Sequence, residues 1–257
     1  MDILVCMKAV PATAQVQVDG HFRLQREGAK LQWNMADEAA LEAALQLKGQ
    51  DGTVTVLTMG PGKLEEPLRE LLARGADRAV LLTDPKMAGA DTLATANALA
   101  AAAKHLGDFA LLLFGRRAID GETGQVPGMV AANLGIPCVT NAEALELSGE
   151  QLGLRRRLED GTARLEMNLP GAVSVCEYSY LLRLPGIMGM RRARGKQVEI
   201  LTADMLGLSP EDCGLKGSAT KVVAMSAKFP GLRKGPKEQD ICAGAAKLLR
   251  LCQEVGK

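Results

Sequence analysis

The sequence lacks most of the features by which enzymes advertise their chemistry. Histidine occurs twice in 257 residues, as His21 in a polar stretch and His105 near a helix end. Neither keeps the company that would make it a general base. The six cysteines, Cys6, Cys138, Cys176, Cys213, Cys242 and Cys252, include no CxxC pair. That spacing excludes the usual zinc site and the redox dithiol and fits buried thiols in a reducing cytoplasm. There is no GxxxxGK[ST], hence no P-loop, and the first turn, "VCMKAVPAT", has no GxGxxG. A formal net charge of +1 leaves no basic excess for nucleic acid or an acidic membrane surface. No apolar run approaches the length of a membrane span. The text opens directly on "ILVCM", from which no signal peptide and a cytoplasmic location are expected. Aromatics make up only 3% of the chain, and the lone Trp33 is read as a core residue rather than a stacking platform.

What is present is a regular alternation. "ILVCMKAV", "TVTVLTMG", "RAVLLTD" and "FALLLFG" are Val- and Leu-rich runs short enough for buried strands. Between them lie "DEAALEAALQLK", "LEEPLRELLARG" and "TLATANALAAAAKHLG", which have helical spacing; Gly75 and Gly107 serve as natural stops. Such alternation predicts βαβ units with right-handed crossovers: an α/β fold with a doubly wound parallel sheet covered on both faces. The second half changes character. "LGLRRRLEDGTARLEMNL" reads as a hairpin about "EDG", and "AVSVCEY" as a strand returning to the main sheet. Residues 181–196 are basic and irregular. The weakly periodic tail then ends in an amphipathic helix, "ICAGAAKLLRLCQEVG". The expected division is an α/β domain over residues 1–200 and a C-terminal arm over 201–257 that lies on another subunit.

In open α/β sheets a ligand binds beyond the carboxyl ends of the strands. Four loops leave that edge: "KAVPAT", "TMGPGK", "DPKMAGADTLAT" and "GRRAIDGETGQV". In the last, Thr123, Gly124, Gln125 and Val126 can present successive N–H groups at a helix start, where the dipole favours an anion. The neighbouring acids Asp120 and Glu122 sit badly beside a phosphate and are expected to cap the turn or to face a cation or a partner. An ordinary capped strand–helix loop explains the same residues equally well. Asp91, with Thr92 and Thr95, reads first as a helix N-cap. Asn34 and Asp37 precede another helix, as caps or ligand contacts.

Several long motifs, in register nearly end to end, resemble the small (beta) subunit of electron-transfer flavoproteins. They are "ILVCMKAVPATAQVQVD", "NMADEAALEAALQLK", "TMGPGKLEEPLRELLARGADRAVLL", "GRRAIDGETGQVPGMVAANLGIP", "RLPGIMGMRRARGK" and "GSATKVV". The resemblance implies a Rossmann-like fold of the adenine-nucleotide alpha-hydrolase type and a heterodimer whose large (alpha) subunit carries most of one FAD. It also implies that the loops hold an adenine nucleotide, either AMP or a second whole FAD, owned by this chain or shared with the large subunit. The residues implicated are Cys6, Lys8, Ala9, Asn34, Met35, Ala36, Asp37, Met59, Gly60, Gly115, Arg116, Asp120, Gly121, Glu122, Thr123, Gly124, Gln125 and Val126. "AGADTLAT" and "TMGPG" resemble the electron-bifurcating members, which would set Asp91, Thr92 and Thr95 near the flavin and an incoming NADH. The departures are Met35 where proline is usual, Gly124 in place of alanine, and Leu182 and Gly186 in place of Pro and Ser.

For the basic segment the resemblance implies a recognition loop. Ile187 would be its docking residue, flanked by Leu184 and Met188, with Arg191, Arg192 and Arg194 nearby to steer a fast, weak encounter. The partner would be an acyl-CoA dehydrogenase-type flavoenzyme, with ferredoxin or flavodoxin as a second acceptor. Two other classes fit the sequence less well. A regulatory adenine-nucleotide-binding module would need neither the arm nor the Ile187 loop. An adenylating enzyme would want an SGGxDS-type first loop, which "VCMKAVPAT" is not.

Overall fold

Ile3, Leu4, Val5 and Cys6 form the first strand, β1 (Ile3–Cys6), and all four are buried. A strand can be apolar at every position only if both of its faces are covered, and the packing shows how. Ile3 and Val5 point into one core with Leu41, Val56, Leu68 and Leu71. Leu4 and Cys6 point into the other with Leu57, Ala98, Leu99 and Leu112. The protein is described by a computed structural model that covers residues 1–12, 30–223 and 240–255.

After β1 come β2 (Ala9–Pro11), β3 (Leu31–Trp33), α1 (Met35–Leu47), β4 (Val54–Met59), α2 (Glu65–Arg74), β5 (Arg78–Leu82), α3 (Thr92–Leu106), β6 (Leu111–Gly115) and α4 (Val126–Leu134). Then follow β7 (Cys138–Ser148), β8 (Gln151–Arg157), β9 (Thr162–Asn168), β10 (Gly171–Val175), α5 (Ile187–Ala193), β11 (Glu199–Leu201) and α6 (Ile241–Val255). The large sheet has the order β11-β5-β4-β1-β6-β10-β7-β8-β9. Its pairings are parallel from β11 through β7 and antiparallel for β7-β8 and β8-β9. The fold is therefore mixed α/β with a large, mostly parallel central sheet. α1 and α2 pack into the first core, and α3 and α4 into the second.

The topology fixes where a ligand can sit. From β1 the chain moves to β4 and β5 on one side, then returns across the sheet to β6 on the other side of β1. The loops leaving β1 and β6 diverge there and open a crevice at the carboxyl edge. The helix stops fall where the sequence places them: Gly75 follows α2 at φ 123°, and Gly107 follows α3 at φ 125°. The hairpin about residues 158–161 joins β8 to β9, and "AVSVC" enters the main sheet between β6 and β7.

Three features differ from the periodicity reading. A small antiparallel pair, β2-β3, stands apart from the main sheet. β7 is an 11-residue strand whose register shifts near Asn141, itself at φ 63°. The basic stretch also contains a helix, α5. The chain separates into two compact units, Met1–Val222 and Val223–Lys257. Residues 201–222 belong to the first, so that break falls later than the expected 200/201. Leu201, Ala203 and Cys213 are core residues of the first unit, because β11 adds itself to β5 and carries the chain after it back onto the sheet. The described part of the second unit is α6, which exposes Ile241, Leu248, Leu249 and Leu251. His21 and the stretch 224–239 lie outside the described residues. No described helix is long and apolar enough to cross a membrane.

Candidate functional site

The four loops of the carboxyl edge line one cleft of about 790 Å3. Its walls come from Cys6 and Lys8 at the end of β1, Met59 and Gly60 at the end of β4, residues 83–85 and 87–91 after β5, and residues 115–118 and 121–127 at and beyond the end of β6. Of the residues singled out in the sequence, Cys6, Lys8, Asp37, Met59, Gly60, Asp91, Thr92, Thr95, Gly115, Arg116 and residues 121–126 line this cleft. Ala9, Asn34, Met35, Ala36 and Asp120 lie outside the lining. Thr83, Asp84, Met87, Leu99 and Phe114 also line it. Periodicity could not select them, since it assigns them to a strand end, a loop and a helix face without saying which way they point.

Asp37, in the first turn of α1, ties the cleft floor together. Its Oδ2 accepts the Lys8 backbone N–H at 2.7 Å and its Oδ1 accepts that of Gly115 at 3.0 Å. One buried carboxylate thus joins the ends of the two strands that bound the crevice. Burial pushes its pKa up to about 7, against the opposing pull of those hydrogen bonds. Burial also raises the Cys6 thiol, with the Asp37 charge adding to the effect, so this cysteine stays a neutral wall residue. Gly115 has to be glycine, because a Cβ there would lie 2.2 Å from Asp37 Oδ1 and 2.6 Å from the Asp37 backbone nitrogen.

Asn34 does similar work one turn earlier. Its Nδ2 donates to the Arg117 carbonyl at 3.0 Å, and its Oδ1 accepts the Ile119 N–H at 3.2 Å. Neither Asn34 nor Asp37 is spent on capping α1. Both hold the loop that follows β6.

That loop ends in the anion-binding geometry. Glu122 and Gly124 are left-handed, at φ 52° and 63°. Left-handed residues set among ordinary ones turn successive N–H groups to the same side. The amides of Thr123, Gly124, Gln125 and Val126 meet no acceptor among the described residues, and they stand at the N-terminus of α4. Pro127, with no N–H to satisfy, follows.

Nearby cations are already engaged. The Lys8 ammonium pairs with Asp120 at 2.7 Å, which also disposes of an acid that would repel a phosphate. The Arg116 guanidinium grips Glu177 through two hydrogen bonds, Nε to Oε2 at 2.9 Å and Nη2 to Oε1. What the cleft offers an anion is main chain and helix dipole.

The start of α3, on the opposite wall, is closed to such use. Asp91 caps it, with Oδ1 accepting the Ala94 N–H at 3.0 Å. Its Oδ2 accepts both the N–H and the hydroxyl of Thr220, each at 2.8 Å. Burial opposes its charge, but these bonds prevail and hold its carboxyl below the usual range. The Thr92 hydroxyl meets Gln125 Oε1 at 3.2 Å, bridging the two helix starts. No group of acids, cysteines and histidines among the described residues could hold a metal ion.

A second feature lies apart from the cleft. Leu184, Ile187 and Met188 are 83%, 81% and 66% exposed. They stand on a held segment rather than a loose loop. Arg183 is bound by the buried Glu42, through its backbone N–H at 3.2 Å and its guanidinium at 2.9 and 2.8 Å. Lys196, at the other end, donates to the Asp77 carbonyl at 2.7 Å. Between them Gly189 sits so close to α2 that a Cβ would fall 2.1 Å from the Ala73 carbonyl oxygen.

Comparison with known proteins agrees with this architecture. A family described as "Electron transfer flavoprotein domain" matches residues 22–205. The electron transfer flavoprotein subunit beta of Thermoanaerobacterium thermosaccharolyticum is 44% identical over 229 residues, covering 88% of each chain. The caffeyl-CoA reductase-Etf complex subunit CarD of Acetobacterium woodii is 41% identical over 225 residues, 86% of each chain. The subunit beta of Mycobacterium bovis is 34% identical over 257 residues, 97% of this chain and 96% of its own. With its crevice at the β1/β6 divergence, a family match over residues 22–205 and a beta subunit 44% identical across 88% of both chains, this chain belongs to the electron transfer flavoprotein family, as a beta subunit.

Proposed function

We propose that this chain holds an adenine-bearing flavin, FAD, in the cleft, and that with a large alpha subunit it forms an electron carrier of the bifurcating type in the cytoplasm. In this reading NADH is the donor. An acyl-CoA dehydrogenase-type flavoenzyme docks at Ile187 as one partner, and ferredoxin or flavodoxin takes the second electron. The observation that carries the reading is the row of four amides at residues 123–126, with no acceptor among the described residues, at the mouth of β6. Such a row suits a phosphate or diphosphate. The cleft also has the size of a cofactor site, which spans roughly 300–1,000 Å3, and it continues past the amides to the 83–91 wall, as a dinucleotide requires. FAD, when bound, supplies reversible uptake of a hydride and release of single electrons.

This chain's residues then bind and orient rather than exchange protons. Thr123, Gly124, Gln125 and Val126 clasp the phosphates. Asp37 and Asn34 keep the clasping loop in place, and Met59, Met87 and Phe114 exclude water. The name of the Acetobacterium woodii relative, which sets it in a complex with a CoA-thioester reductase, supports a partner of that chemistry. The segment bearing Leu184, Ile187 and Met188 supports docking, since its exposed apolar tip is preorganised and flanked by arginines.

The test is nucleotide extraction from the purified heterodimer. Two FAD per pair, both reducible by NADH, are expected. One FAD with one AMP would replace the bifurcating reading by the simpler one, with AMP in the same cleft. Thr123→Pro, which deletes one of the four amides and forces φ near −65°, should empty the cleft. Full occupancy in that variant would show that the phosphates lie elsewhere.

A further inference from the structure

The wall of the cleft opposite the amides is the loop 84–91, and it has little core of its own. Met87 is its one deeply buried apolar side chain. What stands behind it is a segment more than a hundred residues later in sequence, residues 203–220, and the contacts run along the whole loop. At the near end Asp84 Oδ2 accepts the Ala203 N–H at 3.1 Å. In the middle the Leu215 N–H donates to the Ala88 carbonyl at 3.1 Å. Gly214, left-handed at φ 61°, lies so close to the loop that a Cβ would be 2.0 Å from the Lys86 carbonyl oxygen. At the far end Asp91 takes two hydrogen bonds from Thr220, and its own N–H donates to Ser218 Oγ at 2.9 Å. The Ser218 hydroxyl is held in turn by the Gly214 carbonyl at 2.7 Å.

The two ends differ in kind. Around Cys213 the segment is core, buried with Met87, Leu201 and Ala203. From Ser218 onward it is surface, and Thr220 is exposed. Its attachment there consists of hydrogen bonds to one residue, from Thr220 to the Asp91 carboxylate and from the Asp91 N–H to Ser218 Oγ. Bonds to a charged group are worth about twice a neutral pair, so Asp91 is the fastening point of an otherwise open end. The same carboxylate caps α3, whose first turn carries Thr92 and Thr95 into the cleft.

We propose that residues 203–220 act as a strap bracing the 84–91 wall, and that Asp91 is a positioning residue. Through Ser218 and Thr220 it fixes the wall, and thereby the fit of the nucleotide that the amides at 123–126 clasp. The "GSAT" motif, residues 217–220, then has its physical reason: Ser218 and Thr220 supply the hydroxyls that meet Asp91. This rests on the reading of the cleft as a nucleotide site and adds to it a control on affinity by Ser218 and Thr220, which lie outside the cleft lining.

The experiment uses the full chain with its alpha subunit, stripped of nucleotide, and two variants, Thr220→Val and Thr220→Ser. Valine keeps the shape and the backbone N–H and removes only the hydroxyl; serine restores it. Amide hydrogen exchange across residues 84–95 is measured without ligand, and equilibrium binding is measured with FAD and with AMP. Thr220→Val should raise exchange in that stretch several-fold and weaken binding of the tighter ligand about tenfold, which is about 1.4 kcal/mol. Thr220→Ser should return both towards wild type. Faster exchange with unchanged binding would reduce the strap to a structural support and overturn the proposal, and so would unchanged exchange. If wild-type protein bound neither FAD nor AMP, the reading of the cleft would fall instead, while the bracing would still be decided by the exchange data.

Discussion

Replacing Asp37 by asparagine isolates the energetics of the cleft floor. Asparagine keeps the shape of the side chain, and its carbonyl can still accept one of the two N–H groups now held, from Lys8 at 2.7 Å or Gly115 at 3.0 Å. Its amide nitrogen then faces the other, donor against donor, at a cost of about 1–3 kcal/mol for an unsatisfied buried group. That cost does not depend on pH; the charge does. Burial lifts the Asp37 pKa from 3.8 to about 7. Between those values the native state keeps a proton that the unfolded state has lost, so raising the pH favours unfolding. The stability this group contributes is whole below about pH 4 and is lost as the pH rises through about 7. The asparagine variant has no such proton. Going from about pH 5 to about pH 8, wild type should therefore lose about 3 kcal/mol more than the variant, at about 1.4 kcal/mol for each unit up to about 7.

Urea unfolding of both proteins at the two pH values measures this directly. Trp33, the only tryptophan, is buried beside Asn34 and reports on this part of the molecule by fluorescence. Taking the difference of differences cancels every other titrating group, provided the m-values agree. Parallel pH curves for the two proteins would refute the reasoning. A variant that loses more stability than wild type at the higher pH would reverse its sign.

Gly189→Ala should shift α5 off α2, since the added methyl would lie 2.1 Å from the Ala73 carbonyl oxygen. Overpacking of that kind costs about 1–3 kcal/mol, and faster hydrogen exchange over residues 184–196 with little change in the cleft would register it. Ile187→Asp should slow electron transfer to the dehydrogenase partner while leaving bound flavin and melting temperature unchanged, because the side chain is almost fully exposed. An unaltered transfer rate, followed by stopped flow, would remove this residue from the docking surface.

The parallel half of the sheet was legible because burial on both faces leaves a plain mark: β1, β4, β5 and β6 are runs of Val, Leu and Ile between helices of regular period. The edge at which a ligand would gather followed from that alternation alone. What escaped depends on distant partners. β11 is three residues long and exists as a strand by pairing with β5, more than a hundred residues earlier. α5 carries one glycine, two methionines and one alanine beside two arginines, with weak local preference, and its place is set by Glu42, Asp77 and the close approach at Ala73. Asn34 and Asp37 stood out as polar residues at a helix start, where capping is the ordinary explanation. Only the folded chain reveals that their hydrogen bonds go to the loops after β1 and β6 instead. For Asp91 the cap was foreseeable, but its bonds to Thr220, 129 positions away, were not.

A clasp built from peptide nitrogens has an unusual relation to mutation. Exchanging the side chains of Thr123 or Val126 for alanine would leave each amide where it was, so a conventional alanine scan would pass over the proposed phosphate clasp without a signal. Lineages could vary the letters there freely and keep the grip. The same economy of means has one sensitive point: at Gly124 the backbone is left-handed and a Cβ would lie 3.2 Å from the Arg116 carbonyl oxygen, so the alanine of the resembling members would require this loop to give by a few tenths of an ångström.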